Sequence, residues 1–266
     1  MKKYIFMAVA GMLALSSCSN DDNDIQDVQN APRQMTFTAG FGDGATTRAS
    51  LSDHSVTFDA NDEISILSKN NTNTKFTTTA GGASADFTGT ANNDIEFYAV
   101  YPYTDGLTLN YLTGEISGVK IPYDQSAAAS SACGWDPKAA IACATTTGES
   151  LAFYNVCALL KITNTCGYND AKIYVSVNED LAGTFDLDTT TGELTVQAGN
   201  YMVKAEGVSN NKTIYLAIAA GDYTDLFVQC NYDNVNHCRT KSKSSVTFEA
   251  GKIYDLGNTG SWNVMF

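Results

Sequence analysis

The chain has 266 residues, 29 acidic against 16 basic, and a net charge of −13; 44% of it is hydrophobic and only 17% charged. That sign repels phosphate backbones and argues against a nucleic-acid partner, while the length suffices for one large or two ordinary β domains. Thr, Ser, Asn and Gly fill much of the rest, as in the stretch from Asn70 to Thr79; they suit turns and exposed strands better than helix interiors.

The N-terminus is the most informative segment. Lys2 and Lys3 precede an apolar run from Tyr4 to Leu15 that is too short to span a bilayer. Leu15-Ser16-Ser17-Cys18 then reads as a lipobox. Small residues at 16 and 17 suit the peptidase, and the Cys18 thiol is the nucleophile that takes the lipid. Residues 1–17 are therefore expected to be a signal peptide, and loss of Lys2 and Lys3 takes the net charge to −15. Residues 18–32 are expected to be a lipidated, flexible tether, because Asn20 to Pro32 shows no apolar periodicity. Its acidic start, Ser19 to Asp24, resembles the surface-export tether of certain Gram-negative lipoproteins, and an outer-membrane lipoprotein exposed on the cell surface is the expectation, against a plain solvated linker.

Beyond the tether the strands follow one another. Met35 to Phe41 alternates, with Met35, Phe37, Ala39 and Phe41 on one face. Gly42-Asp43-Gly44 reads as a turn and Thr46 to Leu51 as a second strand or edge. Val56 to Phe58 and Ile64 to Ile66 flank a turn-rich connection. Lys75 to Thr79 and Ala85 to Thr88 form a hairpin around Gly81-Gly82. Ile95 to Tyr101 is strongly apolar and stops at Pro102. The Ala- and Ser-rich stretch from Ser126 to Thr147 reads as a domain connection, with a short helix around Lys138 to Cys143. Strands resume over Leu151 to Thr163, Ala171 to Val177, Gly183 to Leu187, Glu193 to Val196, Thr213 to Ala219, Leu226 to Asn231, Ser245 to Phe248 and Lys252 to Leu256. The pattern predicts an all-β protein of β-sandwich architecture, with domains over 33–149 and 150–266.

Catalytic chemistry is hard to find. There are two histidines. His54 lies in a turn, and His237 adjoins Cys238, but adjacent side chains of a strand point opposite ways and make no dyad. Asp59, Asp62 and Glu63 lack the calcium-loop spacing, so no metal is expected. Trp135 and Trp262 are read as packing residues before a sugar platform. No catalytic residue and no cofactor is assigned, and the expectation is a non-enzyme. Six cysteines remain beyond Cys18: Cys133, Cys143, Cys157, Cys166, Cys230 and Cys238. The sequence does not choose among their pairings. Cys230 and Cys238 flank a turn-like segment and are a candidate disulfide across a hairpin.

The combined pattern resembles the fimbrillin family, subunits of the type V pili of anaerobic Gram-negative bacteria. The matching pieces are the lipobox at Cys18, the first strand Met35 to Phe41, Thr47-Arg48-Ala49, and Phe58-Asp59-Ala60-Asn61-Asp62-Glu63-Ile64. Further along come Phe97 to Tyr103, Phe153 to Lys161, and Ala250-Gly251-Lys252-Ile253-Tyr254. The resemblance implies two consecutive transthyretin-like β-sandwiches and a pilus subunit or adhesin. In the family a trypsin-like protease cuts the lipoprotein precursor after an Arg and removes the first strand, and a neighbouring subunit fills the groove. Arg48 and Ala49 fit that cut here, with Met35, Phe37 and Phe41 on the displaced strand. Trp262, Val264 and Phe266 alternate at the C-terminus and are the donor-strand candidate. The chain departs from the family in its six further cysteines and in ending ten residues after Leu256. Stalk, tip and accessory positions stay open. The expected partners are other pilus subunits or further copies, the outer membrane through the lipid, and a host glycan or protein. The alternative is a glycan-binding surface lipoprotein for nutrient capture.

Overall fold

The computed structural model describes residues 31–42, 57–126, 136, 138–139, 141–232 and 238–265. Cys18, the turn at Asp43 and Gly44, the expected strand from Thr46 to Leu51 with Arg48 and Ala49, His54, Cys133, Trp135, His237 and Phe266 lie outside them. Nineteen strands and one 3₁₀ turn, Thr259–Ser261, make up the described structure, so the all-β expectation holds.

The first five strands are β1 (Arg33–Phe41), β2 (Glu63–Ser68), β3 (Asn71–Thr78), β4 (Ser84–Ala91) and β5 (Phe97–Tyr101). Two short strands follow, β6 (Thr108–Asn110) and β7 (Glu115–Ile121), then β8 (Ala142–Thr146) and β9 (Ser150–Asn155). The chain continues through β10 (Cys157–Thr163), β11 (Ala171–Ser176), β12 (Ala182–Asp188), β13 (Leu194–Asn200) and β14 (Met202–Val208). It ends with β15 (Thr213–Ala219), β16 (Gly221–Asn231), β17 (Cys238–Phe248), β18 (Ile253–Asn258) and β19 (Asn263–Met265).

Seven strands close into a barrel in the order β1-β4-β3-β2-β5-β8-β9. Alternation places Phe37, Ile64, Ile66, Phe76, Phe87, Phe97, Ala99, Ala142, Ala144, Leu151 and Phe153 in its interior. β5 is buried on both faces: Phe97, Ala99 and Tyr101 point into the barrel, while Tyr98 and Val100 join a second core outside it. That double burial explains the unbroken apolar run. Ile95, expected within the same strand, lies before it and is 84% exposed.

The expected helix around Lys138 to Cys143 is instead a turn leading into β8. Ala142 and Ala144 face the barrel and Cys143 the second core, so small side chains on both faces let β8 fit between two packed layers. The run from Leu151 to Thr163 is likewise two strands. Val156 breaks it, its N–H donating to the Ile141 carbonyl at 3.0 Å, and the chain passes from the barrel into the second core.

The second core is enclosed by a three-stranded sheet (β15-β10-β18), a five-stranded sheet (β14-β11-β16-β17-β19) and a four-stranded sheet (β13-β12-β7-β6). Leu160, Ile162, Ile173, Val175, Phe185, Leu216, Val228 and Phe248 fill it. β7 pairs with β12 over Glu115 to Ile121, and β9 pairs with β1, so the hydrogen-bonded sheets cross position 149/150 in both directions. Buried Gln125 caps an edge between them: its Nε2 donates to the Ala217 carbonyl at 2.7 Å, and its Oε1 accepts from the Ala217 N–H at 2.8 Å. In that way a side chain satisfies the outer backbone groups of β15.

Candidate functional site

The first strand is held on three sides. Along one edge β1 runs antiparallel to β4, with Arg33 opposite Ala91 and Gly40 opposite Ser84. Along the other it runs parallel to β9, from Thr38 opposite Ser150 to Phe41 opposite Phe153. Beneath it lies the barrel interior, where Met35, Phe37 and Ala39 are buried and Phe41 is half-buried. Sequence alternation alone places these four side chains on one face, and the strand pairing aims that face inward.

The interior is aromatic. The Phe37 ring lies 5.1 Å from Phe97, edge-on, and 5.5 Å from Phe76. Phe41 stacks on Phe58 at 5.3 Å and meets Phe153 at 6.0 Å and Tyr101 at 6.4 Å. Such offset and edge contacts stabilise beyond area burial. The outer face of β1 is polar: Thr38 Oγ1 donates to Asp86 Oδ1 at 2.7 Å, and Arg33 Nη2 donates to Asn93 Oδ1 at 2.8 Å.

Further carboxylates lie beside Tyr101, whose ring meets Phe41. Tyr101 donates its hydroxyl to Asp62 Oδ2 at 3.0 Å, and the same oxygen accepts from the Asp59 N–H at 2.9 Å. Burial, with Asp62 beside it, pushes the Tyr101 hydroxyl far above its ordinary range. Glu63 pairs with Lys75 at 2.9 Å. Asp62 is spent on a turn and a tyrosine and Glu63 on a lysine, and among the described residues no group of three His, Cys, Asp or Glu is placed to hold a metal ion.

The C-terminal candidate lies elsewhere. β19 is the edge of the five-stranded sheet, three residues pairing with β17 from Thr240 to Cys238. Trp262 belongs to the turn before β19 and is buried, while Val264 is 41% exposed, so the two do not share a buried face here. Burial of Trp262 also removes it as an exposed sugar platform. Arg239 fastens this segment, its Nη1 donating to the Gly260 carbonyl at 2.8 Å.

Cys143, Cys157, Cys166 and Cys230 are free thiols. The register sets Cys238 opposite Asn231 and Cys230 opposite Arg239. Opposed residues share a face and successive ones alternate, so Cys230 and Cys238 project from opposite faces of their sheet. The sequence placed them at the two ends of a turn, and the one-residue offset that separates them was not readable there. The parallel β1–β9 pairing was also missed, since no local signal ties strands more than a hundred residues apart.

No family model matches the chain, and no curated protein matches it in sequence. Solved structures do. A candidate cell adhesion protein from Bacteroides uniformis superposes with a TM-score of 0.55 at 15% identity, over 87% of this chain and 95% of its own. One from Bacteroides ovatus gives 0.53 at 15% identity, over 89% and 96%. The chain has their fold. A fimbrial protein from Bacteroides ovatus matches more loosely, at 0.42 and 13% identity, over 88% of this chain and 50% of its own.

Proposed function

We propose that this chain is a fimbrillin-like structural subunit or adhesin of a cell-surface pilus, anchored as a precursor through Cys18 and assembled by removal of β1 and donor-strand exchange. The observation that carries the reading is the setting of β1, paired on both edges over an aromatic interior. Its loss would leave two rows of unpaired backbone groups and an apolar slot, and an alternating strand from another subunit satisfies both. A cut after Arg48 makes departure of β1 intermolecular. The shared fold with candidate adhesion proteins supports the same reading, as does the absence from the sequence of a nucleophile or metal motif. The donor is the C-terminal run Trp262, Val264 and Phe266, which replaces Met35, Phe37 and Ala39 at the same two-residue spacing. Among the described residues three pair β19 to β17, and release of the run gives up these together with the burial of Trp262 and the Arg239 contact to Gly260.

Limited trypsin treatment of the purified precursor, followed by gel electrophoresis without boiling, tests the mechanism. Wild type is expected to give a ladder of polymers, while Arg48→Ala and a chain truncated after Gly260 stay monomeric. Equal ladders from all three, or none from cut wild type, would overturn it. Retention on polysaccharide without any polymer would favour the glycan-binding alternative.

A further inference from the structure

Two of the free thiols meet. Cys166 lies half-buried in the loop between β10 and β11, and Cys230 is fully buried in β16 on the core side. Cys166 Sγ hydrogen-bonds Asn164 Oδ1 at 2.9 Å, and Thr259 Oγ1 donates to the same oxygen at 3.3 Å. The Cys230 thiol lies within interaction range of the Cys166 and Thr259 side chains. A separate contact shows that the two segments run side by side. Tyr168 and Tyr232, each two residues beyond its cysteine, lie with ring centroids 5.1 Å apart and planes inclined by 32°. Two matched Cys-x-Tyr segments therefore present their sulfurs and their rings to one another.

We propose that Cys166 and Cys230 are a dithiol that closes to a disulfide when the folded chain meets a disulfide oxidant. Cys166 is the entry point, because it alone of the pair reaches solvent. Its thiolate attacks one sulfur of the oxidant, the oxidant's S–S bond breaks, and the departing thiolate takes the proton. Cys230 then attacks Cys166 Sγ of the mixed disulfide, loses its proton, and releases the oxidant's second sulfur as a thiol. Two protein thiols are oxidised and one oxidant disulfide is reduced to two thiols. Among the described residues, Cys143 and Cys157 are buried in the core and, unlike Cys166, offer an oxidant no exposed sulfur, and Cys238 faces away from Cys230. The bond would tie the loop after β10 to the centre of the five-stranded sheet, closing the chain from 166 to 230 into one loop and removing freedom from the unfolded state.

The test equilibrates the purified full chain with oxidised or reduced glutathione, then unfolds and alkylates it. Trypsin and chymotrypsin digestion follows, with peptide mapping by mass spectrometry; cleavage after Tyr232 separates Cys230 from Cys238. The oxidised sample is expected to carry Cys166 joined to Cys230, with Cys143 and Cys157 alkylated. Oxidation should raise Tm by several degrees in wild type and leave Cys166→Ser unmoved. A Cys230–Cys238 crosslink, or alkylated Cys166 and Cys230 after oxidation, would overturn the proposal. The wild-type map decides this even if a variant folds poorly.

Discussion

Replacing Phe37 with alanine removes the largest fully buried side chain that β1 contributes to the barrel. Phe37 is 0% exposed and in ring contact with Phe76 and Phe97, so the cavity opens in the middle of the interior rather than at its mouth. Truncation of a buried Phe costs about 3–5 kcal/mol, and two aromatic contacts place this site toward the upper half of that range. Against a total stability of about 5–15 kcal/mol the loss is large. Urea denaturation followed by intrinsic fluorescence should show a midpoint lower by about 1–3 M with an unchanged slope. Thr36→Ala, on the exposed face of the same strand, should move stability by less than about 0.5 kcal/mol. The same substitution carries a functional consequence. Once the chain is cut after Arg48, only noncovalent contacts hold β1, so the loss should speed strand release by about two to three orders of magnitude, and polymers should appear sooner after trypsin. If Phe37→Ala and Thr36→Ala unfold alike, the inward registry of β1 is refuted. If Phe37→Ala unfolds early but polymerises no faster, strand departure is not the limiting step.

Three further outcomes follow from particular contacts. Gln125→Ala strands the N–H and carbonyl of Ala217 and should cost about 1–3 kcal/mol for each buried group, read by urea denaturation; a shift below about 0.5 kcal/mol would mean that water replaces the side chain. A Cβ on Gly89, which lies opposite Met35, would come within 2.6 Å of the Phe76 ring and 2.8 Å of the Lys75 carbonyl. Gly89→Ala should therefore destabilise by about 1–3 kcal/mol despite the better strand propensity of alanine, and a rise in Tm would contradict that packing. Alkali should weaken the fold. Burial, reinforced by a hydrogen bond to Glu96, pushes the Tyr98 hydroxyl from 10.0 up to about 12, and burial pushes the Cys143 and Cys157 thiols from 9.0 up to about 12. As pH rises the unfolded chain ionises first, so the stability these groups contribute is intact below pH 9.0 and declines from there toward about 12. A denaturation midpoint that stays constant from about pH 8 to about pH 11 would refute the reasoning.

The amino-acid sequence by itself determined the all-β class and the inward face of those strands that alternate, while β6, β7 and β14 were not read from it. Both rest on local facts: side chains alternate along an extended chain, and Thr, Val, Tyr and Phe fit pleated surfaces. Thus Met35 to Phe41, the hairpin at Gly81-Gly82, and the strands at Ala171 to Val177 and Thr213 to Ala219 were legible at once. Tertiary structure decided which strands became neighbours. The parallel pairing of β1 with β9 joins residues 38–41 to 150–153, and the β7–β12 ladder joins 115–121 to 183–188. No local pattern encodes such partners, because every half-buried strand offers the same backbone groups to any other. Periodicity also failed where burial was two-sided. At β8 small apolar residues face a core on each side, so the alternation disappears and the run reads as helical. The cysteines make the same point. Spacing drew Cys230 toward Cys238, but a one-residue register offset turned Cys238 away, and the fold laid Cys166 beside Cys230 from 64 residues earlier in the chain.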